Sequence, residues 1–205
     1  MTIELSTITF SVQDDVVPVS GVEQIFNTGI ANTLAGNDIL IGTGSTYGFV
    51  NYGTLNTDDG RDIIIGNSNN GYIGINNAIG ASIQTGNGND TIISTGVIYN
   101  GGSIDTGNGD DFILANQGFN GLGSVSLGDG DDHIKGFGTG NFDGGNGNDI
   151  LELPPGTYHF VNWFGAGKEL KKGNISMGVG RFEQLMAGST TYNFSSLTQG
   201  QIIIV

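Results

Sequence analysis

Cysteine is missing from these 205 residues, so neither a disulfide framework nor a thiolate metal site is available. Proline occurs only three times, and the 38 glycines follow no strict three-residue period, which excludes a collagen-like chain. Positive charge is scarce: six Lys and Arg stand against 20 Asp and Glu, for a formal net charge of −14. Such a chain lacks the basic face that nucleic acid requires and is ill suited to an anionic membrane surface. No apolar run approaches the ~18 residues of a membrane-spanning helix, so no membrane insertion is expected. The segment Met1-Thr2-Ile3-Glu4-Leu5 has no basic stretch leading into an apolar run, so no cleaved signal peptide is expected. Catalytic signatures are missing too. No Ser-His-Asp order, paired Glu, phosphate loop or zinc motif appears, and His133 and His159 stand alone, as structural or surface residues. The expectation is a protein that is not an enzyme.

What is abundant is glycine and aspartate. Hydrophobic residues make up 37%, in short clusters, which argues against disorder. Glycine at this level implies many tight turns. Of the 20 acids 15 are Asp, and 13 of these lie between Asp38 and Asp149, which points to cation binding rather than a solvated surface.

The acids recur in register. Four clear copies of one turn are Thr85-Gly86-Asn87-Gly88-Asn89-Asp90, Thr106-Gly107-Asn108-Gly109-Asp110-Asp111, Leu127-Gly128-Asp129-Gly130-Asp131-Asp132 and Gly144-Gly145-Asn146-Gly147-Asn148-Asp149. Two degenerate copies precede them, over 57–62 and 33–38. Their closing acids, Asp38, Asp62, Asp90, Asp111, Asp132 and Asp149, are 24, 28, 21, 21 and 17 residues apart. Two residues before each copy stand Ala31, Leu55, Ile83, Ile104, Val125 and Phe142. Two residues after each closing acid stand Leu40, Ile64, Ile92, Ile113, Ile134 and Leu151. These are inward positions of short strands entering and leaving a turn. A period near 20 with two such strands predicts an all-β fold, a right-handed parallel β-solenoid (β-roll or β-helix), with coils rising ~4.8 Å each. Insertions fall on the far side, so the glycine-aspartate side is the informative face.

These copies resemble the nonapeptide of RTX (hemolysin-type) calcium-binding repeats, Gly-Gly-x-Gly-x-Asp-x-apolar-x, and Gly144 to Glu152 matches every specified position. The resemblance covers about 33–152 and implies Ca2+, several ions in one column, since the far side lacks the motif. It implies carboxylate ligands from Asp62, Asp90, Asp111, Asp132 and Asp149, with Asp38 a weaker candidate because Leu34 and Ala35 replace its turn residues. Turn ligands would come from Gly86, Asn87 and Gly88, from Gly107, Asn108 and Gly109, from Gly128, Asp129 and Gly130, and from Gly144, Gly145, Asn146 and Gly147. Calcium suits such a set because it takes six to eight oxygens, at ~2.3–2.6 Å. Asp105 and Asp143, one residue before their copies, either add ligands or face solvent. A metal-free solenoid is the alternative, but carboxylates stacked at one height repel without a cation.

Residues 1–32 read as an N-terminal strand pair capping the first coil, and 153–205 as a C-terminal β cap in which Tyr158, Phe160, Asn162 and Phe164 alternate. That tail also resembles regions following RTX repeats, which implies type I secretion and an extracellular location. The functional expectation is a secreted calcium-binding module that folds on extracellular calcium and serves in adhesion or matrix, with cell-surface or matrix polysaccharide or protein as partner. Alternatives are an ice-binding solenoid and a self-assembling fibre subunit using Tyr47, Phe49, Tyr52, Tyr72, Tyr99 and Phe119. A polysaccharide-modifying enzyme ranks lower, since the repeats carry only Arg61 and Lys135 as bases.

Overall fold

In the computed structural model, which describes residues 2–18, 23–163 and 167–205, the chain is all β. Parallel strands stack into a β-solenoid of about five turns. One coil shows the plan. Ser82–Gln84 leads into the turn over 85–90, Thr91–Ser94 leaves it, and after a bend at Thr95-Gly96 a third strand, Val97–Asn100, runs along the back. The leading, trailing and back strands assemble into sheets of ten, nine and six strands.

The leading column runs Leu55, Ile83, Ile104, Val125 and Phe142 as successive Cα partners. The trailing column runs Leu40, Ile64, Ile92, Ile113, Ile134 and Leu151. Both columns are buried. The third strand is a correction to the two-strand expectation. It carries its own inward column of Ile25, Phe49, Ile75, Ile98 and Phe119, all buried. Phe49 and Phe119 are therefore core residues rather than assembly contacts. Each fully buried side chain of this size contributes roughly 1.5–3 kcal/mol, and within each column the interior members have a similar neighbour above and below.

Where the back strand turns into the next coil, a buried amide ladder takes the corner. Asn27 Nδ2 donates to Asn51 Oδ1, Asn51 Nδ2 to Asn77 Oδ1, and Asn77 Nδ2 to Asn100 Oδ1, at 2.8–2.9 Å. The same nitrogens also donate to the carbonyls of Thr54, Ser82 and Ser103. Both amide protons are used, and no charge is buried.

The solenoid reaches into the segment read as a cap. Gln24–Asn27 and Ile30–Asn32 pair in parallel with strands of the following coil, and Val16–Val17 pairs with Ile39 and Leu40. At the other end, Ile175–Gly180 and Gln184–Ala187 continue the parallel stack. Thr157–Trp163, Gly167–Lys172, Thr190–Asn193 and Ile202–Ile204 then pair antiparallel, which ends it. The buried side chains of this C-terminal β cap, including Tyr158, Phe160, Leu170, Met177, Phe194 and Ile203, continue the solenoid core as one cluster. Of the predicted alternation there, Phe164 lies outside the described residues.

Candidate functional site: the aspartate column

The six closing aspartates stand in one column, all nearly free of solvent contact. Each carboxylate spends one oxygen on the preceding coil. The backbone N–H of Asp38 donates to Asp62 Oδ1 at 2.8 Å, that of Asp62 to Asp90 at 2.7 Å, that of Asp90 to Asp111 at 2.8 Å, that of Asp111 to Asp132 at 2.8 Å, and that of Asp132 to Asp149 at 3.0 Å. The other oxygen, Oδ2, has no hydrogen-bond partner in any of the six. Only the Asn27 and Asn56 side-chain oxygens share that condition among the described residues, so the pattern belongs to the column.

Threonine stands beside four of them, as the first residue of the copies at 33, 57, 85 and 106. Thr57, Thr85 and Thr106 commit their hydroxyl protons to the carbonyls of Thr85, Thr106 and Leu127, at 2.8–3.1 Å. Those hydroxyls still lie close enough to favour the carboxylate in part, although none makes a hydrogen bond to Oδ2. Burial dominates the electrostatics. It pushes Asp62 up to about 6, Asp90 and Asp111 to about 7, and Asp132 to about 6, against an ordinary 3.8. The neighbouring threonine hydroxyl, at Asp38, Asp62, Asp90 and Asp111, and the backbone N–H bond offset part of this, and neighbouring carboxylates add to it. Asp38 and Asp149 are raised by the same cause.

The turn glycines are required by the approach of one coil to the next. Gly88 sits at φ +129°, and a Cβ there would lie 1.7 Å from the carbonyl oxygen of Gly60 in the preceding coil. Coil-to-coil approach and backbone conformation both demand glycine. The carbonyls run along the solenoid axis. Gly86 O accepts from Asn108 N, Asn108 O from Gly88 N, Gly107 O from Asp129 N, Asp129 O from Gly109 N, and Asn146 O from Gly130 N, at 2.7–2.9 Å. Among the described residues no internal donor reaches the carbonyls of Gly60, Gly88, Gly109 or Gly130.

Asn87, Asn108, Asp129 and Asn146 lie outside, exposed, in a side-chain ladder. Asn87 Nδ2 donates to Asp59 Oδ1, Asn108 Nδ2 to Asn87 Oδ1, and Asn146 Nδ2 to Asp129 Oδ1. Their side chains are thus separated from the buried column. Asp38 joins the column despite its degenerate turn, because Leu34 adopts the left-handed φ of 70°. Asp143 is tied to Arg181 by two bonds, of 2.6 and 2.9 Å, and Asp105 is exposed. His133 pairs with Glu152 at 3.1 Å and packs edge-on against Phe112.

Sequence reading missed the two ends. Asp15 N donates to Asp38 Oδ1 at 2.8 Å, and Asp149 N donates to Glu183 Oε2 at 2.9 Å. Asp15 is legible afterwards, since Asp14-Asp15-Val16-Val17 keeps the closing acid and the apolar residue two places on.

Among the described residues no three acidic or histidine side chains converge as a ready-made metal cluster. A cation here would take the free Oδ2 atoms and complete its shell with turn carbonyls and water, an oxygen-only set that suits calcium. Compared with known proteins, the chain matches no family model, no curated protein and no solved structure.

Proposed function

We propose that this chain is a calcium-binding β-solenoid of the RTX type, secreted, and that it serves as a structural module in adhesion or matrix. One observation carries the reading: six consecutive buried carboxylates each keep an oxygen with no partner. The chain's other buried corner meets the same need with Asn27, Asn51, Asn77 and Asn100, at no electrostatic cost. Asparagine at the aspartate positions would accept the same backbone N–H. Retaining a carboxylate there makes physical sense when something positive sits against Oδ2. Without it, the column favours the unfolded chain, which suits export before calcium is met. The resemblance of Gly144 to Glu152 to the RTX nonapeptide supports the choice of calcium.

Circular dichroism tests the reading. Millimolar calcium is expected to raise both β content and melting temperature relative to excess EDTA. Identical spectra and melting points in the two conditions refute it.

Self-assembly is favoured by a separate observation. Ile41, Ile65, Ile93 and Leu114 form an outward, half-exposed apolar rank in register on the trailing sheet, with Ile39 and Ile63 beside it. Light scattering that grows with concentration, and that falls on Ile65→Lys, supports this; scattering that stays at the monomer value refutes it.

A further inference from the structure

We propose that Glu183 is the last carboxylate of the column and closes its final cation site, so that a bound cation clamps the C-terminal cap onto the last repeat coil. This rests on the calcium reading above. Ile150 and Leu151 pair with Gln184 and Leu185, so Glu183 stands where Asp149 stands one coil earlier. Its contacts repeat the column's. Asp149 N donates to Glu183 Oε2 at 2.9 Å, as Asp132 N donates to Asp149 Oδ1 at 3.0 Å. Gln184 N donates to Asp149 O at 3.0 Å, as Ile150 N donates to Asp132 O at 2.8 Å.

The chain reaches this place by a shortened route. Where earlier coils spend six residues on the turn, this one spends Arg181, Phe182 and Glu183. Arg181 takes the left-handed φ of 50°, Phe182 is buried, and the extra methylene of Glu supplies reach that Asp lacks. A scan for glycine-aspartate turns passes over it.

A second, independent observation points to a ligand. Asp149 is 0% exposed, and its Oδ2 has no partner. The first position of this copy, threonine in four earlier copies, is Gly144. A Cβ there would stand 2.6 Å from Asp149 Oδ2 and 2.3 Å from the carbonyl oxygen of Arg181. The orphan oxygen and that carbonyl crowd around a bare Cα, with no hydroxyl between them. The Arg181 guanidinium is bonded to Asp143, and its charge reaches Asp149 only through space, as the smallest of the influences on that carboxylate. Asp149 Oδ2, Arg181 O and the Glu183 carboxylate form an oxygen-only set appropriate to a hard cation, with water completing the shell. Beyond Glu183, Gln184–Ala187 pairs with the last repeat strand, and Phe194 N donates to Glu183 O at 2.8 Å. A charge held at Glu183 therefore ties down the cap.

Glu183→Gln tests this, because it keeps an oxygen for the Asp149 N–H and removes the charge. Calcium stoichiometry is read by titration calorimetry, and amide exchange is followed at 184–187, with 91–94 and 112–115 as internal controls. The variant is expected to bind one ion fewer, or the last ion at least ~10-fold more weakly. Protection at 184–187 in millimolar calcium should fall to the EDTA level while the control strands stay protected. Unchanged stoichiometry and affinity in the variant overturn the role of Glu183 and leave the column reading intact, even if protection at 184–187 drops. A wild-type chain that takes up no calcium overturns both.

Discussion

Asp111→Asn separates a carboxylate kept for a cation from one kept by habit. Asp111 sits mid-column, and burial lifts it to about 7 from an ordinary 3.8. One unit is worth ~1.4 kcal/mol, so the ionised, metal-free side chain costs the fold about 4 kcal/mol above pH 7. That is a large share of a typical total stability of roughly 5–15 kcal/mol. The introduced amide keeps an oxygen for the Asp90 N–H and carries no charge. In EDTA at pH 8 the variant is therefore expected to melt higher than wild type, by about 10 °C at roughly 2–4 °C per kcal/mol for a chain of this length. In millimolar calcium the sign reverses, because the variant has lost a ligand. At pH 4 in EDTA the two chains should melt close together, since the folded carboxyl is then protonated and the unfolded one, close to its ordinary 3.8, is only partly ionised, which leaves a difference of roughly 0.6 kcal/mol. Thermal melts by circular dichroism, four conditions for each chain, supply the comparison. A variant that is destabilised equally in EDTA and in calcium at pH 8 refutes the reasoning and makes the column a passive hydrogen-bonding ladder.

Metal-free wild type should gain stability as pH falls from 8 through the window between about 7 and 4, because folded pKa values of about 6 to 7 at Asp62, Asp90, Asp111 and Asp132 exceed the unfolded value; denaturant midpoints in EDTA check this, and a midpoint that rises with pH contradicts it. Gly88→Ala should cost more than ~3 kcal/mol with or without calcium, since its Cβ meets the Gly60 carbonyl, whereas Gly71→Ala, with φ +70° and nothing within 4 Å, should cost about 1 kcal/mol; equal losses in urea melts would show that coil contact is not what selects glycine. Asn77→Ala should cost roughly 2–4 kcal/mol irrespective of calcium, because it leaves Asn51 without its acceptor and Ser103 without its donor in a buried corner; a loss that disappears in calcium would contradict the assignment of this corner as a purely structural ladder.

The sequence by itself determined the solenoid class, the two inward columns flanking each turn and the identity of the six stacked acids. These are properties of register, and a repeat with a fixed acid and fixed apolar offsets has only one register in which like stacks on like. The third column is obscured when counted from the preceding turn, because the insertions fall between that turn and the back strand; counted to the following copy, Ile25, Phe49, Ile98 and Phe119 each stand eight residues before it and Ile75 ten, so the column was legible from that side. Tertiary structure alone decided what the turn atoms face. Glycine at Gly88 reads in sequence as freedom to bend, but stacking makes it clearance for the neighbouring carbonyl. The carboxylates read in sequence as stacked ligands, but that one oxygen of each is held by the backbone N–H of the preceding coil is visible only in the stack. Glu183 lay beyond any motif, because a turn three residues shorter with a side chain one methylene longer reaches the same point in space. Spacing along a chain records the repeat; only the approach of one coil to the next, at the separation that strand pairing imposes, determines which oxygen is satisfied and which is left free.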